Sequence, residues 1–174
     1  MEIFCETSRL ILRELLVTDC DGLFELDSDP DVHRYLGKQP LVNKEQCLEV
    51  IGIIRRQYAD NGIGRWAVVE KSTGEFLGWC GLKLVKETVN GHTHFYDLGY
   101  RLIKKHWGRG IATESAMAAL AYGFNELQLQ TIYACADTQN QASQNVLTKL
   151  GFNKTSSFYY EDEPHYWFKI SKPF

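Results

Sequence analysis

The chain has 174 residues, of which 44% are hydrophobic, which is the size and apolar content of one globular domain, 1–174, with room for a full core. A formal net charge of -3 and a pI near 6.0 lack the basic face that a phosphate backbone demands, so nucleic acid is excluded as an expected partner. Five scattered cysteines, Cys5, Cys20, Cys47, Cys80 and Cys135, contain no close pair, which predicts neither a disulfide framework nor a zinc site and suits a reducing compartment.

The opening Met-Glu-Ile-Phe-Cys-Glu carries acids where a secretion signal needs bases, and no apolar run reaches membrane-spanning length. A cytoplasmic protein that binds no membrane is expected. Leu10-Ile11-Leu12-Arg13 predicts a short strand, and Thr18 or Asp19 predicts the cap of a helix carrying Leu23, Phe24 and Leu26, which Pro30 ends. Apolar residues at 47, 48, 51, 54 and 58 predict a second helix from Asn43 to about Asp60, stopped by Asn61-Gly62. Trp66 to Val69, Phe76 to Leu84 and Thr93 to Ile103 are rich in aromatic and β-branched residues. With turns at Ser72-Thr73-Gly74 and Asn90-Gly91 they predict an antiparallel meander.

Residues 97 to 113 then run from the end of a strand through Lys104-Lys105-His106-Trp107-Gly108-Arg109-Gly110 into an alanine-rich helix. Glycines at 108 and 110 let a ligand approach the backbone, and the first free N–H groups of the helix would point at it. Together with Lys104, Lys105 and Arg109 this predicts an anion site, a phosphate above all. The Gly-Lys-Ser/Thr ending of a nucleotide P-loop is missing, since Ile111 and Ala112 follow Gly110, and Thr113 stands where a dinucleotide fingerprint needs a small residue. The carrier of the phosphate stays open at this point. The helix from Arg109 to Leu127 presents Ala112, Ala116, Ala119, Leu120 and Gly123 on one stripe, small enough to lie close on a sheet, and Thr131 to Ala136 predicts the next strand. In Asp137 to Phe152, Thr138 and Gln141 predict a capping box, Gly151 a left-handed stop that folds Phe152 onto Leu147, and Asn140, Ser143 and Asn145 put more polar side chains in the first turns than a cap requires.

Gly99-Tyr100, Lys105-His-Trp-Gly108-Arg-Gly110, the alanine-rich helix, Asn140-x-x-Ser143 and Lys149-Leu-Gly-Phe152, in this order, resemble the GNAT N-acetyltransferase superfamily. Thr7-x-Arg9-Leu-Ile-Leu-Arg13, Asp29-Pro-Asp-Val32, Trp66-Ala-Val68 and Gly74-Glu-x-Leu-Gly78 are similar to its RimJ/RimL-like branch, named for acetylation of ribosomal-protein N-termini. The resemblance spans almost the whole chain. It implies an α+β fold with α/β/α layers: a mixed, mostly antiparallel sheet of six to seven strands, splayed between the fourth and fifth, with helices on both faces. It also implies acetyl-CoA as the phosphate carrier, held by Gly108, Arg109, Gly110, Ile111, Ala112 and Thr113, with Asn140 and Asn145 nearby. The pantetheine arm would pair with the strand edge at Leu102 and Ile103. Lys105 stands where the family pattern usually has Gln or Arg, a modest change if backbone N–H groups supply most of the grip.

The reaction so implied moves an acetyl group directly to a primary amine of a protein N-terminus or a small molecule. Ser143 aligns with the serine that RimL-like enzymes use as general acid, with Tyr159 and Tyr160 as other donors. A backbone N–H near Leu98 to Tyr100 would serve the oxyanion, and Asp97 or Glu161, in the run Glu161-Asp162-Glu163, would be the base. His106 is expected only to pack or face solvent. Trp66, Tyr35 and Trp79 are expected on the acceptor wall, an acidic mouth would steer a cationic acceptor, and an open C-terminal strand edge offers a homodimer contact. The alternative in another class is a module that binds acetyl-CoA without turning it over.

Overall fold

A computed structural model describes residues 1–173. The strands are β1 (Ile3–Glu6), β2 (Leu10–Arg13), β3 (Trp66–Glu70), β4 (Phe76–Val85), β5 (Phe95–Leu102), β6 (Thr131–Asp137), β7 (Asn153–Tyr160) and β8 (Glu163–Ser171). The helices are α1 (Cys20–Asp27), α2 (Lys44–Asn61), α3 (Ile111–Asn125) and α4 (Gln141–Lys149), and short 3-10 turns cover Val17–Asp19, Val32–Tyr35 and Lys104–His106. One sheet contains all eight strands in the order β1-β2-β3-β4-β5-β6-β8-β7. The strand beyond the expected count is β1, which pairs with β2 through Cys5↔Leu12 and Glu6↔Ile11, so the splay falls between the fifth and sixth strands.

Side-chain alternation sorts the core onto the two faces. On β3, Trp66 and Val68 join Leu10 and Leu12 of β2 under α3, whereas Ala67 and Val69 pack with Leu23 and Leu26 of α1 and Cys47, Ile51 and Ile54 of α2. A strand buried on both sides has no polar position to spare, which is why residues 66 to 69 read as an unbroken apolar run. Trp66 is therefore core: it is fully buried and stacks on Phe4 with ring centroids 4.8 Å apart. The expected place for it on the acceptor wall is incorrect. On the far half of the sheet, the loop after β4 lays His92 over Trp167 of β8, their ring planes 7° apart.

Local signals account for most boundaries. Asn43 caps α2 by accepting from the N–H of Gln46 at 3.0 Å, and Gly62, at φ 67°, closes it with its N–H donating to Tyr58 O. At the end of α4, Gly151 at φ 89° lets its N–H reach Thr148 O and that of Phe152 reach Leu147 O, a Schellman pair of bonds that turns Phe152 into the core. Two expected caps differ. The Asp19 carboxylate is taken by the Arg13 guanidinium at 2.7 and 2.8 Å and by the Leu16 N–H, so it does not cap α1. Asn140 caps α4 in place of Thr138, its Oδ1 accepting from the N–H of Ser143 at 3.1 Å.

The one strand contact between the two halves is sparse. β5 and β6 run parallel and register only at Asp97↔Tyr133, after which they part. On its other side β5 is tightly zipped to β4 over eight positions, from Gly78↔Leu102 to Val85↔Phe95. Gly78, at φ 147°, faces that strand so closely that a Cβ would stand 2.2 Å from Arg101 O and 2.8 Å from Leu102 Cα. Because these are backbone atoms, Gly78→Ala should lower stability by about 2 to 4 kcal/mol, read as a fall in the urea midpoint at unchanged slope.

Candidate active site

Where β5 and β6 part, a cleft of about 940 Å³ opens through the sheet, lined by residues of both halves of the chain. Its α3 side is a bare helix start. Gly108 and Gly110 adopt φ 72° and 75°, which favours glycine, and Gly110 is the N-cap of α3 with no side chain occupying the first-turn N–H groups. Gly108, Gly110, Ile111, Ala112 and Thr113 all line the cleft. Backbone donors with the positive end of a helix behind them suit a phosphate group, as the spacing predicts.

The basic side chains of this turn behave differently from expectation. Lys105 turns away from the cleft to Glu75 and Glu25, at 3.0 and 3.1 Å, and Arg109 to Glu70 at 2.9 Å and to Nδ1 of buried His106 at 2.9 Å. Neither lines the cleft, so the structure does not bring these two expected ligands of the phosphate to it. Lys104 does line it, paired with Asp31 at 2.6 Å. Leu102 borders the cleft and its carbonyl accepts from the Trp107 indole at 2.8 Å, whereas Ile103 is buried against the α1–α2 layer and its N–H is spent on Leu77 O. Ile103 is thus a core residue of the opposite face, correcting its expected place on the pantetheine edge.

Beside α3, the start of α4 presents Asn140, Ser143 and Asn145 to the cleft. The Asn140 amide oxygen is used as the cap, and that of Asn145 accepts from Gln141 at 2.8 Å. Ser143 Oγ lies 3.0 Å from the hydroxyl of Tyr100, which also donates to Ser143 O at 3.0 Å. Burial pushes the Tyr100 phenol well above its usual range, opposed by the bond to Ser143, so it stays protonated and remains a donor at neutral pH. Of the expected tyrosines, Tyr160 borders the cleft and Tyr159 stands away from it, 78% exposed.

The opposite face carries the charged groups. Arg65 donates to Gly81 O at 2.6 Å and Asp97 O at 2.7 Å, and its other terminal nitrogen is ion-paired with the Asp97 carboxylate. Next to it Arg101 binds Asp27 at 2.6 Å, and both guanidinium groups lie over the Trp79 ring, 5.5 and 5.0 Å from its centroid. A Cβ at Gly99 would fall 2.6 Å from the Arg65 guanidinium, which is the packing reason for glycine there. Tyr35 and Trp79 border the cleft as expected. Its charged lining is balanced rather than acidic, with Arg34, Lys38, Arg65, Arg101, Lys104 and Lys149 against Asp31, Asp97, Asp137, Glu161 and Glu163. Four of those acids are bonded to Lys104, Arg65, Gln139 N and Lys38, whereas among the described residues Glu161 has no hydrogen-bond or ion-pair partner. Glu161 sits at the β7–β8 turn facing Gly37, where a Cβ would stand 3.8 Å from its Oε2.

Cys135 also lines the cleft, but burial pushes its thiol up to about 12, so it stays protonated and is a poor nucleophile. Among the described residues there is no metal-binding cluster of His, Cys, Asp or Glu, and no helix long and apolar enough to cross a membrane.

A family model described as an acetyltransferase (GNAT) domain matches residues 9–153. The chain belongs to the GNAT acetyltransferases. It is 32% identical over 148 residues to the uncharacterized N-acetyltransferase p20 of Bacillus licheniformis, covering 85% of this chain and 81% of that one. It is 27% identical to the spermidine N(1)-acetyltransferase of Escherichia coli, over 86% of this chain and 76% of the relative. Its fold superimposes with a TM-score of 0.81 on RimL, a ribosomal L7/L12 alpha-N-protein acetyltransferase solved with coenzyme A, at 17% identity and 98% coverage of each chain. The GNAT domain is thus an acetyl-CoA-dependent N-acetyltransferase, and the backbone donors before α3 fit the anionic part of that co-substrate.

Tyr100, Arg65, Arg101 and Trp107 escaped the sequence reading as site residues. Tyr100 and Trp107 had a signal, as parts of Gly99-Tyr100 and Lys105-His-Trp-Gly108. The structural weight of Arg65 is open to test: Arg65→Met strips the mostly buried Asp97 carboxylate of its partner and should cost about 2 to 3 kcal/mol in chemical denaturation, below the value for a fully buried pair because both groups keep some solvent contact.

Proposed function

We propose that this GNAT enzyme, of the RimJ/RimL-like branch, acetylates a primary amine, a protein N-terminal α-amine or a small-molecule amine. In this reading Ser143 is the proton donor on the cofactor side and Glu161 the carboxylate on the acceptor side. The observation that carries it is the placement of these groups around one cleft: the free start of α3 and Ser143 on one face of the splayed sheet, Glu161 across the mouth. Bound acetyl-CoA supplies an activated thioester, so the chain itself has only to deliver a neutral amine, favour the developing oxyanion and protonate the departing sulfur.

Ser143 suits the last task because its hydroxyl borders the cleft beside the helix start. Asp97 is assigned to holding Arg65 rather than to proton transfer, because its carboxylate is committed to that guanidinium. Glu161, partner-free among the described residues, then accepts the proton lost by the amine, directly or through water. The names of the relatives, which include both a protein N-terminal and a polyamine acetyltransferase, set the range of acceptors. Five free cysteines and a co-substrate of central metabolism suit the cytoplasm, and β7, at the edge of the sheet, offers a surface for a homodimer.

Release of free coenzyme A, followed against a panel of N-terminal peptides, polyamines and other amines, tests the reading. At least one class should be turned over, and acetyl-CoA binding without product from any of them would remove the catalytic assignment. Ser143→Ala should lower kcat by about tenfold to a hundredfold with the acetyl-CoA Kd within about twofold. Glu161→Gln should lower kcat/KM for the amine at neutral pH and leave acetyl-CoA binding alone. An unchanged kcat/KM would pass the role of proton acceptor to water.

A further inference from the structure

The half-buried Tyr100 stands in the wall of the cleft, on the strand that borders the splay, and the two hydrogen-bond partners of its hydroxyl both belong to Ser143. A phenol has a single proton to donate. With that proton on Ser143 O, the serine hydroxyl can itself donate to Tyr100 Oη; with the proton turned to Ser143 Oγ, the serine is free to donate elsewhere, into the cleft. Both oxygens are 3.0 Å away, so the exchange needs only rotation of a hydroxyl.

We propose that Tyr100 is the positioning residue for Ser143: it turns its hydroxyl from Ser143 O to Ser143 Oγ as negative charge grows on the sulfur, and so makes Ser143 a better proton donor. This rests on the assignment of Ser143 above and adds a partner to it. In the transfer the amine nitrogen bonds to the acetyl carbon, the carbon–sulfur bond breaks and its electron pair leaves with sulfur. Ser143 gives its proton to that sulfur and regains one from solvent, the amine loses one on the acceptor side, and Tyr100 keeps its own throughout. A half-buried phenol held by the serine suits this role. Cys80, Asp97 and Cys135 bear on it, and the nearby Arg65 guanidinium is paired with the Asp97 carboxylate, so the phenol keeps its proton.

Tyr100→Phe removes one hydroxyl and retains the ring, so the melting temperature should stay within a few degrees. We expect a fall in kcat of about tenfold, the size of one neutral hydrogen bond, with KM for acetyl-CoA within about twofold. In the double variant with Ser143→Ala, the tyrosine change should add no further loss, because its effect runs through the serine. A binding measurement gives a second readout that does not depend on turnover. Calorimetric titration of free coenzyme A from about pH 7 to about pH 9.5, across the ordinary thiol range, should show affinity rising relative to acetyl-CoA in the wild type and rising less in Tyr100→Phe. If Ser143→Ala turns over normally, the serine assignment itself is lost. If Ser143→Ala is impaired while Tyr100→Phe is normal, or loses the same factor again in the double variant, the serine stands and the role given to Tyr100 is overturned. Equal pH dependence of coenzyme A affinity in wild type and Tyr100→Phe would also overturn it.

Discussion

The fold turns on a single parallel contact. β5 is bound to β4 along its full length and to β6 at one position only, Asp97↔Tyr133, so the backbone of β5 beyond that point lacks a neighbouring strand. Main-chain N–H and C=O groups inside a protein need partners, and here they border a cleft that reaches through the sheet. A ligand with amide groups of its own could complete the ladder there, as an added strand does at a sheet edge. Arg65 secures the point of divergence by spanning Gly81 O, Asp97 O and the Asp97 carboxylate with one guanidinium. A planar fork of donors makes such simultaneous bonds in a way that the point charge of a lysine does not.

The divergence also divides the labour between the two faces. The α3 and α4 side is built from backbone donors and neutral hydroxyls: the open start of α3, Ser143 and Tyr100. The other side is built from charged pairs around Trp79, with Glu161 at the rim. Backbone donors and neutral hydroxyls thus border the cleft on one side, and charged side chains border it on the other.

Much of this layout was legible in the sequence because it rests on short-range chemistry. Asn43 and Gly62 bound α2, Gly151 ends α4, and Gly108 and Gly110 mark the anion turn, each through a local backbone requirement that neighbouring residues reveal. What could not be read depends on tertiary neighbours. Lys105 and Arg109 look like phosphate ligands in the sequence, but Glu25, Glu70 and Glu75, distant along the chain, claim them. Trp66 and Trp79 belong to similar aromatic stretches, and only the packing of Phe4 and Tyr122 on one, and of two arginines on the other, separates core from cleft. Ile103, just past the end of β5, turns to the α1–α2 layer while Leu102 borders the cleft, a difference invisible until the sheet is assembled.

The carboxylates behind the anion turn have a further effect. With Lys105 and Arg109 paired to carboxylates from the rear, an anion at the turn would meet chiefly oriented N–H dipoles, whose pull falls off over about one helical turn, and little long-range attraction. An anion docked there would accordingly depend on close contact with the backbone more than on attraction from a distance.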